Sequence, residues 1–388
     1  MTPAARIQAA IDILDTVLAG QPAEQALTRW ARGNRFAGSK DRAAIRDLVF
    51  DAMRAQRSLA VLGGARSGRG LMLGLGRRQA WDLEALFSGA KYAPAPLETE
   101  ERTTPRAFAS DAERLDIPDW LWPEFQAAMQ DRSAAAAQAL QHRAPVHLRV
   151  NARKASVPQV QDMLAADGIE TRPFRNISFA LEAVQGERKI RNSAAYQQGL
   201  VELQDAASQA VVLDLPLRDG MRVLDFCAGG GGKALAMAAQ TDLQVTAHDI
   251  SAARMGDIPA RAQRAGVRIE TADLAQVTAQ APFDLVLVDA PCSGSGAWRR
   301  APQGKWDLTP DRFAEIQQLQ ARILQQAAAL VAPQGWLIYA TCSLFHAENH
   351  AQVTRFVDHD PRWRVVQETR WDVSDGTDGF FSAHLTRF

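Results

Sequence analysis

MRVLDFCAGGGGK, residues 221–233, joins a short apolar run to four glycines and a lysine. Val223 and Leu224 read as the centre of a buried strand. The glycines let the backbone bend where other residues resist, and helical spacing resumes at about Lys233. A strand, a glycine-rich turn and a helix in that order open a sheet covered by helices on both faces. Further along lie QVTAHD (244–249), VRIET (267–271), DLVLVD (284–289) and WLIYAT (336–341), all strand candidates. Helices fall between them, the clearest from Pro310 to Val331. This alternation predicts an α/β domain with a doubly wound, mostly parallel, Rossmann-like sheet. The chain's three cysteines each close one of these runs: VLDFC at Cys227, LVLVDAPC at Cys292 and LIYATC at Cys342. In an open α/β sheet, strand ends of this kind form the ligand crevice.

Upstream the pattern changes twice. Residues 4 to about 87 read as helices: Ile7, Ile11, Leu14 and Leu18 recur at helical spacing, as do the apolar residues from Lys40 to Leu62. Gly63-Gly64 and ARSGRG punctuate their end. Residues 88–118 form a Pro- and Thr-rich connection, followed by a helix from about Asp119 to Gln141. From Pro145 the order is strand (VHLRVN), helix (VPQVQDMLAADG) and two short strands (IETRPF, ISFALEAV), a small α+β segment. The expected domains are 1–142, 143–215 and 216–388.

At 388 residues, 47% of them hydrophobic, the chain is long enough for two or three cores, and its formal net charge is zero. The balance is local. From Arg29 to Arg78 there are twelve Lys/Arg residues against three Asp and no Glu, an excess suited to a polyanion. Three cysteines without CxxC spacing support neither a disulfide framework nor a zinc knuckle, so reduced thiols in a cytoplasmic protein are expected, with no metal. The N-terminus lacks a signal peptide's apolar stretch, and no run of eighteen apolar residues suggests a membrane span. A monomer is the default expectation.

Three readings compete for the glycine loop. A phosphate loop needs Gly, four residues, then Gly-Lys-Ser/Thr; here the first position is Cys227 and the last Ala234, so it fails. A nicotinamide dinucleotide site is met by Gly229, Gly231 and Ala234, with Asp249 twenty residues beyond Gly229. The third is S-adenosylmethionine (AdoMet), a nucleoside without phosphates. In that reading the loop Cys227-Ala228-Gly229-Gly230-Gly231-Gly232-Lys233 approaches the ligand, Asp249 meets the ribose hydroxyls, Asp273 the adenine, and Asp289 closes the fourth strand. Each acid could instead cap a helix or face solvent. Their recurrence at successive strand ends favours the ligand.

VDAPCSGSGAWRRAPQGKW and YATCSLFHAENH resemble the signature segments of the Sun/NSUN family of RNA cytosine-5 methyltransferases, which includes the RsmB/Fmu-type rRNA enzymes. The family's D-A-P-C-S-G-x-G is matched by Asp289-Ala290-Pro291-Cys292-Ser293-Gly294-Ser295-Gly296, and its T-C-S…E-N by Thr341-Cys342-Ser343 with Glu348-Asn349. The R-R-x-P…K-W tail is met by Arg299-Arg300, Pro302 and Lys305-Trp306. VELQDAAS and DGTDGFFSAHLTR are similar to further family segments, so the resemblance spans about 145–388. It departs in the loop, where the usual C-A-A-P-G-G-K has Gly229 and Gly230 in place of Ala and Pro. Ala234 also stands where Thr is frequent, and His350 where Glu is.

The resemblance implies AdoMet as methyl donor and a cytosine in RNA as acceptor. Carbon 5 of cytosine is a poor nucleophile, and a thiolate added at carbon 6 turns the ring into an enamine that can take a methyl group. Cys342 is implied as that nucleophile, Asp289 as the group that hydrogen-bonds the cytosine edge near N3, and Cys292 as the group that assists release. Arg299, Arg300 and Lys305 would supply an electropositive setting for the thiolate or contact phosphates. The N-terminal segments resemble the NusB-like helical RNA-binding domain fused to RsmB-type enzymes, with Lys40, Arg42, Arg46, Arg54 and Arg57 as candidate phosphate contacts. Arg149 and Asn151 are candidates in the small domain that precedes the catalytic one. Small-subunit (16S) rRNA is the implied substrate. A tRNA cytosine-5 methyltransferase and a non-catalytic RNA-binding assembly factor are the alternatives.

Overall fold

The computed structural model describes residues 1–175 and 177–387. The chain divides into two compact units: Met1–Arg143 together with Trp298–Leu308, and Ala144–Ala297 together with Thr309–Phe388. The small α+β segment and the large sheet, expected as separate domains, share the second unit.

The first unit is helical, as the spacing predicts. Thr2 caps the helix Pro3–Leu18 by accepting from the Ala5 N–H, Pro3 occupies its first turn, and Ile7, Ala10, Ile11 and Leu14 are buried. They meet Ile45, Val49, Leu59, Leu71 and Leu73 from the neighbouring helices. The glycines read as punctuation do more than end a helix. Ser67 caps a helix over Gly68–Arg78, which crosses Gln56–Gly63 at backbone contact. A Cβ on Gly63 would lie 1.7 Å from the Gly70 carbonyl oxygen, and one on Gly74 2.1 Å from that of Leu59. The helix expected over 119–141 is broken: Gln130, at φ 50°, separates Trp122–Met129 from Ser133–Leu140.

Trp298–Leu308, expected within the catalytic domain, clusters instead with these helices. The helix Ser39–Arg54 ends with carbonyls that lack intrahelical partners. The Lys305 ammonium donates to the Arg54 carbonyl (2.9 Å), the Trp306 indole N–H donates to that of Met53 (2.7 Å), and Arg54 Nε returns a bond to the Arg299 carbonyl (2.7 Å).

The second unit holds two sheets. In the smaller, β1 (Val146–Val150) lies between β3 (Ala180–Gln185) and β4 (Val201–Leu203), with β2 (Glu170–Pro173) outside β3, every pairing antiparallel. The larger contains β5 (Arg222–Asp225), β6 (Gln244–Ala247), β7 (Glu270–Thr271), β8 (Phe283–Asp289), β9 (Val331–Thr341), β10 (Trp363–Trp371) and β11 (Phe380–Arg387), in the order β10-β11-β9-β8-β5-β6-β7. The five strands from β9 to β7 are parallel, as expected; β10 and β11 pair antiparallel at the far edge. The chain winds outward from β5 through β6 to β7, then reverses to β8 and β9. That reversal opens a crevice beyond the carboxyl ends of β5 and β8. Leu224, Val286, Val288, Leu337 and Tyr339 face one core, closed by Leu324 and Ala327 of the helix Pro310–Ala328; Val223, Leu285, Leu287, Ile338 and Ala340 face the other.

Candidate active site

A cleft of about 1120 Å³ occupies this crevice, lined by Cys227–Gly230, Asp249, Ile250, Arg254, Asp273, Asp289, Cys292 and Cys342 among others. Gly229 and Gly231 are left-handed, at φ 52° and 77°. A Cβ on Gly231 would meet Ile258 at 2.8 Å, so glycine is required there. The Gly229 N–H donates to the Asp249 carboxylate (2.9 Å), which also accepts from the Ser251 N–H and pairs with Arg254 (3.1 Å). Gly231 caps the helix Gly232–Gln240. Asp273 lines the cleft but also caps its helix, accepting from the Gln276 N–H (2.9 Å). Both the ligand-facing and the capping expectation for this residue therefore meet at one side chain. Lys233, in the first turn of the helix Gly232–Gln240, is buried against Asp289 (2.7 Å) and lies 4.6 Å over the Phe380 ring. Cys227 is enclosed, and burial pushes its thiol well above the ordinary range.

The two other thiols meet because their strands do. β8 and β9 are parallel neighbours in register Asp289↔Ala340, so DAPC and ATC leave the sheet side by side. Their sulfurs stand 3.4 Å apart. That contact first, and burial second, raise the Cys292 thiol above its usual range. Glu348 binds the two loops together. Fully buried, it accepts from the Ser293 N–H (2.7 Å), the Ser293 hydroxyl (2.5 Å), the Ser343 hydroxyl and Gln320 Nε2 (3.1 Å). Gln320 reaches in from Pro310–Ala328 and also donates to the Pro291 carbonyl (3.0 Å). Asn349 Nδ2 donates to the Ser343 carbonyl, and the Gly296 N–H to that of Cys342. Gly296 packs so closely on Gly379 that a Cβ would lie 1.9 Å from its oxygen.

Two groups escaped the sequence reading. In the sequence Glu348 stands only as one letter of the E-N motif. Asp225, at the end of β5, is buried, with neither carboxylate oxygen in an ordinary hydrogen bond and only a marginal contact from the Ala234 N–H. Burial, then the nearby Asp289, push its pKa up to about 7. An acid closing a strand before a glycine loop was the available signal.

The expected RNA contacts scatter. Lys40, Arg42 and Arg300 are exposed. Arg46 is exposed but paired with Glu24, and Arg57 is held by Asp119 and the Ile117 carbonyl. Arg54, Arg299 and Lys305 are buried in the helical unit, where they serve its packing. Burial lowers Lys305 to about 8. Arg149 is also interior: its Nε donates to Gln204 (2.7 Å), and burial lowers it to about 10. Asn151 donates to the Gly199 and Ala265 carbonyls, a packing role. Among the described residues no group of three or more His, Cys, Asp or Glu is placed to hold a metal, and no helix is long and apolar enough to cross a membrane.

A glycine cradle, acids on successive strand ends, the almost fully exposed Ile250 beside Asp249, and the orphaned Asp225 suit a nucleoside with a charged amino-acid tail. The loop does not fit the P-loop pattern of a nucleoside triphosphate, since Cys227 and Ala234 stand at its first and last positions. The fold and cleft are those of a Rossmann-like AdoMet-dependent methyltransferase. The family model of the 16S rRNA methyltransferase RsmB/F matches residues 211–386, and a RsmF/B-like ferredoxin-like domain matches 117–186. The ribosomal RNA small subunit methyltransferase B of Vibrio cholerae is 31% identical over 304 residues, covering 74% of this chain and 69% of that protein. Its counterpart from Klebsiella pneumoniae is 33% identical over 298 residues, covering 72% and 68%. The chain belongs to the RsmB/F methyltransferase family. In fold it matches the crystal structure of PH0851 over 100% of this chain and 99% of that one, with a TM-score of 0.78 and 23% identity. It also matches NSun6 from Pyrococcus horikoshii over 70% and 98%, with a TM-score of 0.62 and 15% identity.

Proposed function

We propose that this enzyme methylates carbon 5 of a cytosine in small-subunit rRNA through a covalent cysteine adduct. The observation that carries the reading is the 3.4 Å approach of the Cys292 and Cys342 sulfurs beside Asp289, at the floor of the cofactor cleft. One thiol suffices to form an adduct; a second in contact with it suits a reaction that must also undo the adduct. AdoMet supplies a sulfonium methyl group when bound. Asp249 would receive its ribose hydroxyls, Ile250 and Asp273 would border its adenine, and the loop from Cys227 to Lys233 would border its amino-acid end.

Cys342 acts as the nucleophile at carbon 6. Its neighbour Cys292 is held as the neutral thiol by their mutual hydrogen bond and by burial, so the pair carries at most one negative charge. Asp289, anchored by Lys233, faces the N3 edge of the base and would carry the proton that N3 takes up as sulfur adds to carbon 6 and gives back when the adduct collapses. After methylation Cys292 hands its proton to the Cys342 sulfur as the carbon 6–sulfur bond breaks, and takes up the proton that leaves carbon 5, so Cys292 ends as the thiol it began as. A base must leave its stack to enter the cleft, which suits a loop or single-stranded RNA. The two curated relatives described above are both named as small-subunit rRNA enzymes, which supports rRNA over tRNA.

The test offers labelled AdoMet with unmodified small-subunit RNA, or tRNA, and digests the product to nucleosides. Label in 5-methylcytidine from the rRNA alone is the expected result. Label in another nucleoside refutes the reaction, and label in tRNA alone refutes the substrate.

A further inference from the structure

The glycine loop carries no proline to stiffen it, yet its carbonyls are held from outside. Arg261, on the helix Ile258–Ala265, donates through one guanidinium nitrogen to the Gly230 carbonyl. The other donates to Glu202 Oε2 (3.0 Å), and Arg264 donates to Glu202 Oε1. Glu202 lies on β4 of the small sheet and is buried. Two residues on, Gln204 Nε2 makes a long contact with the Gly232 carbonyl (3.4 Å), while its Oε1 accepts from the buried Arg149. One short stretch of the small sheet thus braces both ends of the Gly230–Gly232 segment.

We infer that Arg261, oriented by Glu202, is a positioning residue for the AdoMet loop, taking over the stiffening that a proline at position 230 would give. A free Gly-Gly-Gly-Gly run loses more conformational freedom on ordering than any other sequence, which weakens whatever it binds. A bidentate guanidinium fixed between a buried carboxylate and a backbone carbonyl removes that freedom before the ligand arrives. The site at Gly230 also accepts the alternative device. Its N–H makes no hydrogen bond among the described residues and its φ lies outside the left-handed region, so a proline there loses no bond; a Cβ would lie 3.3 Å from Arg261 Nη1, a contact that the mobile guanidinium end relieves by shifting a few tenths of an ångström. The inference rests on the assignment of this loop to AdoMet.

The experiment is a double-mutant cycle on the full chain, Arg261→Ala and Gly230→Pro singly and together, read in two ways. Calorimetric titration with AdoMet should show about tenfold weaker binding for Arg261→Ala in the Gly230 background, and a markedly smaller loss in the Gly230→Pro background. Hydrogen exchange of the peptide spanning 227–233, without cofactor, should accelerate in Arg261→Ala and return toward the wild-type rate in the double variant. Glu202→Gln, which keeps the shape and removes the charge, should give a milder loss of both kinds. Equal losses of affinity in both backgrounds, or exchange unchanged by Arg261→Ala, overturn the inference. If the wild-type chain binds no AdoMet, the loop assignment itself has failed, whereas exchange still reports whether Arg261 stiffens the loop.

Discussion

Two buried carboxylates carry opposite lessons at the scale of single residues. Glu348 is satisfied by four donors from three segments, so removing it takes an acceptor from all of them at once. Glu348→Ala should cost about 3–5 kcal/mol in chemical denaturation and separate the two thiol loops. Glu348→Gln should retain more of both stability and methyl transfer. Asp225 is the reverse case, a buried acid with no ordinary partner. Its folded pKa of about 7 stands above its ordinary 3.8, so the folded chain holds a proton that the unfolded chain has released. Its contribution to stability therefore falls as pH rises from about 4 to about 7. Asp225→Asn should melt higher than wild type at pH 8, by the equivalent of roughly 2–4 kcal/mol, and alike near pH 4. A melting difference independent of pH would contradict the burial of an unpaired charge. Neither residue's burial is visible in a linear chain, though Asp225 closes a strand before a glycine loop and Glu348 stands in the E-N motif. Cys292, Cys342 and Asp289 announce themselves, because a rare residue type closing successive apolar runs is visible without coordinates.

Elements were legible where period and punctuation agreed. The strands flanking the cleft stand out because buried parallel strands are continuous apolar runs, and Gly231 marks the turn between the first of them and its helix. β10 was illegible: Arg364 to Glu368 are exposed on an edge, which erases the hydrophobic alternation that betrays a strand. The start of Gly68–Arg78 was hidden for a different reason, since glycine is a poor helix former and ARSGRG (65–70) reads as a loop. There the glycines serve helix crossing. Gly63→Ala places a methyl group 1.7 Å from a carbonyl oxygen, so it should destabilise the helical unit by more than about 2 kcal/mol in thermal melting. A melting temperature unchanged by this substitution would mean the two helices do not cross as described. Basic residues were the weakest guide at this scale. Arg54 and Lys305 read as phosphate contacts but close a helix end, because a cation with a long apolar stem satisfies terminal carbonyls well.

At the scale of the whole molecule, a winding reversal in the sheet creates the cleft, and adjacent parallel strands deliver the two thiols into it. The loops then take their positions from Glu348 and Gln320, and the glycine turn from Arg261 and Glu202. The central claim is the division of labour between the sulfurs, and a protein–RNA adduct reports it most directly. Wild type, Cys342→Ala and Cys292→Ala are each incubated with unmodified small-subunit RNA and labelled AdoMet, then run on a denaturing gel. Cys292→Ala should accumulate a methyl-bearing band of retarded RNA, and Cys342→Ala should form no band and transfer no methyl group. The opposite pattern, with adduct trapped by Cys342→Ala and lost in Cys292→Ala, would make Cys292 the nucleophile and contradict the account.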